Sequence, residues 1–248
     1  MILLLILTIL TIFIITNFNH EGFYNNNNNN TPIFLINLDR NKDRLEILSK
    51  RAKKLNLNIT RFNAYDGSTI NPNVLIHKKL LTPNHFLRKG QIGCALSHYA
   101  VWQKINTDIA LVLEDDVIIP DDFSQKLKNI LQHLPQKWDL VFLGGCNIKG
   151  KKINQLFIKP THNYNRYNLC LHAYLVNKKS IKRLNKHTIP LYRPIDSQLR
   201  DKFNKLNVYY VYPNIISQNK EIRSTRRDID GLPQSQFWLK NHDKITLT

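Results

Sequence analysis

Residues 109–120 read IALVLEDDVIIP, an apolar run that breaks into three consecutive acids, Glu114, Asp115 and Asp116, before apolar residues resume. Ala110–Leu113 has the length and aliphatic character of a strand buried on both faces of a parallel sheet. Acids at the carboxyl end of such a strand lie at the rim where open α/β sheets bind ligands. Three adjacent carboxylates repel one another unless a cation or solvent offsets the charge. Carboxylates combined with water and phosphate oxygens suit Mg²⁺ or Mn²⁺. Side chains alternate along an extended segment, so Glu114 and Asp116 are expected to share a side as the metal pair, with Asp115 turned away. A solvated acidic loop would have the same composition, so the elements around the triplet must decide.

Those elements alternate between strand and helix. Ile33–Asn37 reads as a strand, and Asp39–Leu55 carries Leu45, Leu48, Ala52 and Leu55 at helical spacing. Asn58–Asn63 is a second strand, closed by the turn Ala64-Tyr65-Asp66-Gly67. Ile70–Lys89 is irregular with a short helix, and Gln91–Asn106 is a helix apolar on two sides, hence largely buried. After the acids, Pro120-Asp121-Asp122 opens a helix with Phe123, Leu127, Ile130 and Leu134 on one stripe. Trp138–Leu143 is a buried strand ending at Gly144-Gly145. Lys149–Asn165 has no clear periodicity. Cys170–Val176 is a strand leading into a helix over Lys178–Lys186, Pro190–Arg200 a loop passing into a short helix, and Val208–Val211 a strand. The order predicts a single α/β domain with a mostly parallel sheet.

Lys plus Arg number 36 against 18 Asp plus Glu among 248 residues, a formal charge of +18. Such a balance favours phosphorylated or otherwise anionic partners. The basic residues are dispersed rather than blocked, and nucleic acid is not the expected partner. A P-loop is absent, which argues against a phosphotransferase built on one. Cys94, Cys146 and Cys170 lack metal-type spacing and read as buried free thiols, with oxidation of one pair open to a lumenal domain. Residues 1–18 are almost entirely Leu, Ile, Phe and Thr and read as an uncleaved membrane anchor. Residues 19–31 include six consecutive asparagines and read as a flexible stem. Residues 32–217 then form the catalytic domain and 218–248 a tail over the donor site. The flanks set no membrane orientation, although a lumenal domain suits this order.

Four blocks in order resemble glycosyltransferase family 25, which includes lipooligosaccharide galactosyltransferases and procollagen galactosyltransferases. They are Ile36-Asn37-Leu38-Asp39-Arg40 with Asp43-Arg44, then Asn63-Ala64-Tyr65-Asp66-Gly67, then Gly90-Gln91-Ile92-Gly93-Cys94-Ala95-Leu96-Ser97-His98, and finally Leu113-Glu114-Asp115-Asp116. Trp138-Asp139-Leu140-Val141 with Gly144 continues the likeness. The resemblance implies a GT-A-type fold, a UDP-galactose-like donor, a glycan or hydroxylated protein acceptor, a divalent metal and inverting transfer. It places Glu114 and Asp116 on the metal, and Asn37, Asp39, Arg40, Asp66 and Asp115 on the donor. Asp66-Gly67 is equally well explained as turn chemistry.

Inverting transfer needs a general base at the acceptor hydroxyl. Asp196, in Pro-Ile-Asp, is the expected base, with Glu221 and Asp139 as alternatives. Ser197 stands where the family often carries a second acid, which leaves open a catalytically inactive binding protein. Lys149–Lys152 or Arg223–Arg227 are candidates to clamp the diphosphate, although solvated surface charge explains them too. Ser97 and His98 sit on a largely buried helix, where polar side chains need partners. Adjacent helical residues do not face each other, so they form no catalytic dyad.

Overall fold

The structure is a computed structural model and describes residues 31–161, 167–219 and 245–247. Strand β1 (Ile33–Asn37) is apolar and almost wholly buried. Helix α1 (Lys42–Lys54) buries Arg44, Leu48 and Ala52 on one stripe, with Asp43 in its first turn and Arg51, Lys53 and Lys54 in its last, matching the helix dipole. It starts later than periodicity suggests, because Asp39 and Arg40 form a turn first. Strand β2 (Ile59–Asn63) lies parallel to β1. Helix α2 (Pro72–His77) has proline in its first turn and is capped by the Asn71 side chain.

Helix α3 (Lys89–Lys104) buries residues around most of its circumference, including Ser97, His98 and Trp102. Its N-terminal half is pressed onto the turn at Tyr65–Gly67. A methyl group at Gly93 would lie 2.5 Å from the Tyr65 carbonyl oxygen and 2.7 Å from the Gly67 nitrogen. Ser97 Oγ accepts from the Tyr65 N–H at 2.9 Å and donates to the Gly93 carbonyl at 2.7 Å. The second and third sequence blocks are therefore two sides of one backbone crossing. Gly93→Ala is expected to destabilise the fold by about 2 kcal/mol, the usual scale of overpacking against atoms that cannot rotate away. Urea unfolding checks this, and an unchanged midpoint would remove the crossing as the reason for the glycine.

Strand β3 (Ile109–Glu114) ends in the acidic block and is followed by the short β4 (Val117–Ile118). Helix α4 (Phe123–Gln132) buries Phe123, Leu127 and Ile130. Strands β5 (Leu140–Phe142), β6 (Ile148–Lys152), β7 (Phe157–Pro160) and β8 (Ala173–Asn177) follow. Helices α5 (Ile181–Thr188) and α6 (Ile195–Arg200) precede β9 (Val208–Val211), β10 (Ser217–Gln218) and β11 (Ile245–Leu247). The stretch without periodicity is thus a β6–β7 hairpin, whose sequence Ile-Lys-Gly-Lys-Lys masks the alternation.

Among the described residues the main sheet has nine strands in the order β11-β6-β7-β9-β5-β8-β3-β1-β2, and β10 pairs with β4 beside it. Seven of the nine point one way, while β7 and β8 run against them. The expectation of a mostly parallel sheet holds for strand direction. The pairing is mixed, because β8 inserts antiparallel between β3 and β5 and β7 between β6 and β9, so half of the ladders are parallel. Alternate residues serve two cores. Ala110, Val112, Leu140 and Phe142 face α3, α5 and α6, whereas Leu111, Leu113, Val141 and Leu143 face α1 and α4. Two helical layers thus sandwich the sheet and leave the strand ends for chemistry.

Cys146 and Cys170 form a disulfide with their Cα atoms 5.5 Å apart, which corrects the expectation of free thiols. Reciprocal hydrogen bonds between Cys146 and Leu169 bring the two segments together. No pattern of spacing encodes that contact. Cys94 takes no part in a disulfide. No helix among the described residues is long and apolar enough to cross a membrane, and residues 1–18, expected as an anchor, lie outside them together with the stem through residue 30.

Candidate active site

Asp115 and Asp116 form the turn between β3 and β4, so the alternation of an extended chain stops at Glu114. The three carboxylates consequently diverge. Asp115 points away from its neighbours, as expected, but into the protein. Its Oδ2 accepts from Asn37 Nδ2 at 2.8 Å and Asn41 Nδ2 at 3.1 Å, and its Oδ1 accepts from Arg44 Nη1 at 3.0 Å. Asp115 thereby fastens the end of β3 to β1 and the first turn of α1.

Glu114 is oriented from below. His98 Nε2 lies 3.0 Å from Glu114 Oε1, and His98 Nδ1 lies 2.9 Å from the Tyr174 hydroxyl. The indole N–H of Trp102 donates to that same hydroxyl at 2.9 Å. Trp102 can only donate, whereas the Tyr174 hydroxyl can accept that bond and donate to His98 Nδ1; with the ring proton on Nε2, toward Glu114, every one of these groups has a partner. Burial keeps the Tyr174 phenol well above its ordinary range, consistent with a hydroxyl that remains a donor. The sequence marked Ser97 and His98 as needing partners. It did not pair His98 with Tyr174, 76 residues away.

Asp116 is the unusual member. Its Oδ2 accepts from Gln218 Nε2 at 3.0 Å, and its backbone carbonyl accepts from the Asn219 N–H at 2.7 Å. Its Oδ1 is enclosed without a hydrogen-bond partner among the described residues. Although the residue as a whole is only half-buried, the carboxyl lies deep enough for desolvation, then the charges of Glu114 and Asp115, to push its pKa up to about 7. Gln218 and Arg44 oppose the shift. A carboxylate oxygen without a donor, beside a second carboxylate, is an arrangement that a hard divalent cation satisfies.

The expected donor residues gather at the carboxyl ends of β1 and β2. Asn37 is buried, and its amide is spent within the protein: Nδ2 on Asn41 and Asp115, Oδ1 on Arg61 Nε at 2.9 Å. It supports the rim rather than presenting itself to a ligand. Asp39 accepts from Arg61 Nη2 at 2.5 Å and Asn63 Nδ2 at 2.9 Å, bonds that hold its carboxyl below the usual range. Arg40 pairs with Asp66. Burial raises the Asp66 pKa, but the hydroxyl and N–H of Ser68 and the Arg40 guanidinium more than reverse that. Asp66 therefore performs turn chemistry while remaining at the rim.

Asp196 lies in the first turn of α6 rather than in a loop. Its Oδ1 accepts from the Ser197 N–H at 2.7 Å and its Oδ2 from the Cys170 N–H at 3.4 Å. Cys170 is bonded to Cys146, whose sulfur lies 3.6 Å from Gln218 Oε1. A disulfide sulfur has no hydrogen to donate, so this last approach is a packing contact. Through it, Gln218 and the disulfide connect the Asp116 and Asp196 regions. The Tyr210 hydroxyl is buried without a partner among the described residues, and burial followed by the Asp196 charge raises its pKa. Asp139 is excluded as an alternative base. It is fully buried and accepts from Ser180 Oγ, from Arg183 Nη2 at 2.7 Å and from the Asn207 N–H at 2.7 Å, fastening β5 to α5 and β9. Of the candidate clamps, Lys149–Lys152 lie in β6, while Arg223–Arg227 and the remaining alternative base, Glu221, lie outside the described residues.

Comparison with known proteins finds glycosyltransferases. A putative glycosyltransferase of Acanthamoeba polyphaga mimivirus is 38% identical over 121 residues, 46% of this chain and 37% of that protein. Procollagen galactosyltransferase 2 of Homo sapiens is 31% identical over 134 residues, 48% of this chain and 21% of that protein. A mouse relative, the inactive glycosyltransferase 25 family member 3, is 32% identical over 126 residues, 45% of this chain and 21% of its own length. The chain thus aligns with well under half of each relative. A solved galactosyltransferase, LgtC, superposes with a TM-score of 0.45 at 11% identity over 84% of this chain and 99% of that one, too remote a likeness to carry an argument. Residues 30–199, more than half of the chain, match glycosyltransferase family 25 (LPS biosynthesis protein), and the chain belongs to that family.

Proposed function

We propose that this protein transfers a hexose, galactose from UDP-galactose, to a glycan or to a hydroxylated protein side chain, with inversion at the anomeric carbon. The observation that carries the reading is Asp116, whose enclosed and unpartnered Oδ1 sits beside Glu114 at the carboxyl edge of a sheet in a family-25 domain. Glu114 and Asp116 would hold Mn²⁺ or Mg²⁺. When bound, that ion supplies positive charge to a donor diphosphate as UDP departs. His98 holds the Glu114 carboxylate in place, and Asp115 fixes the turn that presents Asp116. Arg40, Asp39 and Asp66 form the rim against which nucleoside hydroxyls and amides would be read, in a GT-A-type arrangement.

Asp196 would take the proton of the acceptor hydroxyl. Two N–H donors aim its carboxylate, so it accepts a proton without turning. The remaining parts of the reading rest on sequence and compartment. Residues 1–18 would anchor the domain in a membrane, with the domain in a lumen, and the Cys146–Cys170 disulfide favours an oxidising compartment. UDP release from a panel of UDP-sugars with Mn²⁺ tests the whole. UDP-galactose is expected to be turned over fastest, with Asp116→Ala reducing the rate by about 10²-fold or more. Unchanged turnover in that variant would remove Asp116 from the site.

A second reading, a sugar-binding protein without transferase activity, is favoured by Ser197 in place of a second acid and by the mouse relative named inactive. Glycan binding without metal-dependent UDP binding, both measured by calorimetry, would select it.

A further inference from the structure

Beneath the acidic block three different ligand types converge. Cys94 and His98 stand four residues apart on α3, and so on one face of the helix. Glu114 reaches the same point from the end of β3. The Cys94 sulfur, a His98 ring nitrogen and a Glu114 carboxylate oxygen all lie within 4.8 Å of one another. His98 Nε2 and Glu114 Oε1 are 3.0 Å apart. Around a tetrahedral Zn²⁺, with bonds of about 2.0–2.1 Å to nitrogen and oxygen, the same two atoms stand about 3.3 Å apart. A few tenths of an ångström separate the hydrogen-bonded pair from a coordinating one.

The surroundings are those of a metal-binding histidine. Ligating imidazoles place their second nitrogen on a hydrogen-bonding group that sets the ring plane. Here His98 Nδ1 lies 2.9 Å from the Tyr174 hydroxyl, itself held by Trp102, and both aromatic residues are buried. Cys94 lies outside the disulfide and is partly open to solvent, which gives an ion a way in. The other cysteine–histidine group, at Cys146, Cys170 and His172, has both sulfurs committed to the disulfide.

We propose that Cys94, His98 and Glu114 form a binding site for a thiophilic divalent cation, Zn²⁺, with its fourth position open. This goes beyond sugar transfer and does not require it. On binding, the Cys94 thiol loses its proton to solvent. The imidazole proton moves from Nε2 to Nδ1 and donates to the Tyr174 oxygen, while the hydroxyl hydrogen rotates off Nδ1. Nε2, Oε1 and the thiolate then hold the ion, with one proton released per ion bound. Sulfur separates this site from the all-oxygen pair of Glu114 and Asp116, which prefers Mg²⁺ or Mn²⁺. Because Glu114 belongs to both, Zn²⁺ at this site would act as an inhibitor of Mn²⁺-dependent transfer.

The test is a titration of the full chain with Co²⁺ alone, under non-reducing conditions and without nucleotide sugar. One equivalent is expected to produce the near-ultraviolet thiolate-to-cobalt charge-transfer band and the intense visible bands of a tetrahedral ion, both lost on adding Zn²⁺. Cys94→Ser should lose the charge-transfer band while its thermal melt is preserved, since the change replaces one sulfur at a partly exposed position. His98→Gln should lose tetrahedral binding as well, and if that variant does not fold, Cys94→Ser decides alone. A weak six-coordinate spectrum without a thiolate band, or a band that persists in Cys94→Ser, overturns the proposal. The sugar-transfer reading stands or falls separately, because nothing in the titration depends on it.

Discussion

Asp116→Asn is expected to make the metal-free protein more stable at pH 8 and to abolish its response to Mn²⁺. In the unfolded chain Asp116 titrates near 3.8, and in the folded protein its pKa is raised to about 7. Below about pH 4 the group is protonated in both states and contributes no difference. Between about pH 4 and 7 the folded state binds the extra proton, so stability falls as pH rises. Above pH 7 both states are ionised and the loss is complete. At 1.36 kcal/mol per unit the shift sets an upper bound of about 4 kcal/mol, and water near the partly exposed residue cuts this to about 2 kcal/mol.

The neutral amide removes that dependence. Urea unfolding in chelator should therefore give the same stability for wild type and Asp116→Asn at pH 4, with the variant about 2 kcal/mol more stable at pH 8. Mn²⁺ should restore wild-type stability at pH 8, since a bound cation offsets the buried charge, and should leave the variant unmoved. Transfer activity in the variant should fall by about 10²-fold or more, as expected when a carboxylate that would hold the charge-offsetting cation is replaced by a neutral amide. A variant that gains stability and loses function is the signature of a residue retained for chemistry. Parallel pH profiles for the two proteins would refute the buried carboxylate as its source.

The second large effect is at Asp115. Removing one partner of a buried ion pair leaves the other uncompensated, which costs about 3–5 kcal/mol. Asp115→Ala takes the carboxylate away from the Arg44 guanidinium, whose side chain is only 10% exposed, and removes one hydrogen bond each from the amides of Asn37 and Asn41. The loss is expected at the high end of that range, enough to lower the unfolding midpoint sharply. Arg44→Met should cost less, because Asp115 keeps its two asparagine donors. The ordering is the discriminating result. Equal costs would mean that the salt bridge alone, and not the three-donor cage, secures the turn. The exposed pairs give the contrast: Lys50 with Glu46 is open to solvent on both sides and contributes little.

Much of the architecture was legible in the residues. β1, β3, β5 and β9 are short apolar runs, and α4 shows its buried stripe directly in Phe123, Leu127 and Ile130. The β6–β7 hairpin was not legible, because Lys149, Lys151 and Lys152 occupy most of its first strand. Register between strands distant in sequence leaves no local trace either. The insertion of β8 beside β3, which brings Tyr174 under the acidic block, therefore had to come from the fold.

The residues by themselves marked the candidate site. Three acids after an aliphatic strand announce a charged rim, and the blocks around Asn37, Gly67, Gly93 and Asp116 identify the family. They did not determine what each acid does. The alternation expected of an extended chain gave Glu114 and Asp116 one role and Asp115 another, but Asp115 and Asp116 form a turn. Tertiary contacts then separated all three: Glu114 to His98, Asp115 to Arg44 and the two asparagines, Asp116 to Gln218 with one oxygen left over. The physical reason is that a carboxylate's role is set by its donors and its distance from water. In this protein most of those donors come from segments far away along the chain, so the acids were visible in one dimension and their division of labour only in three.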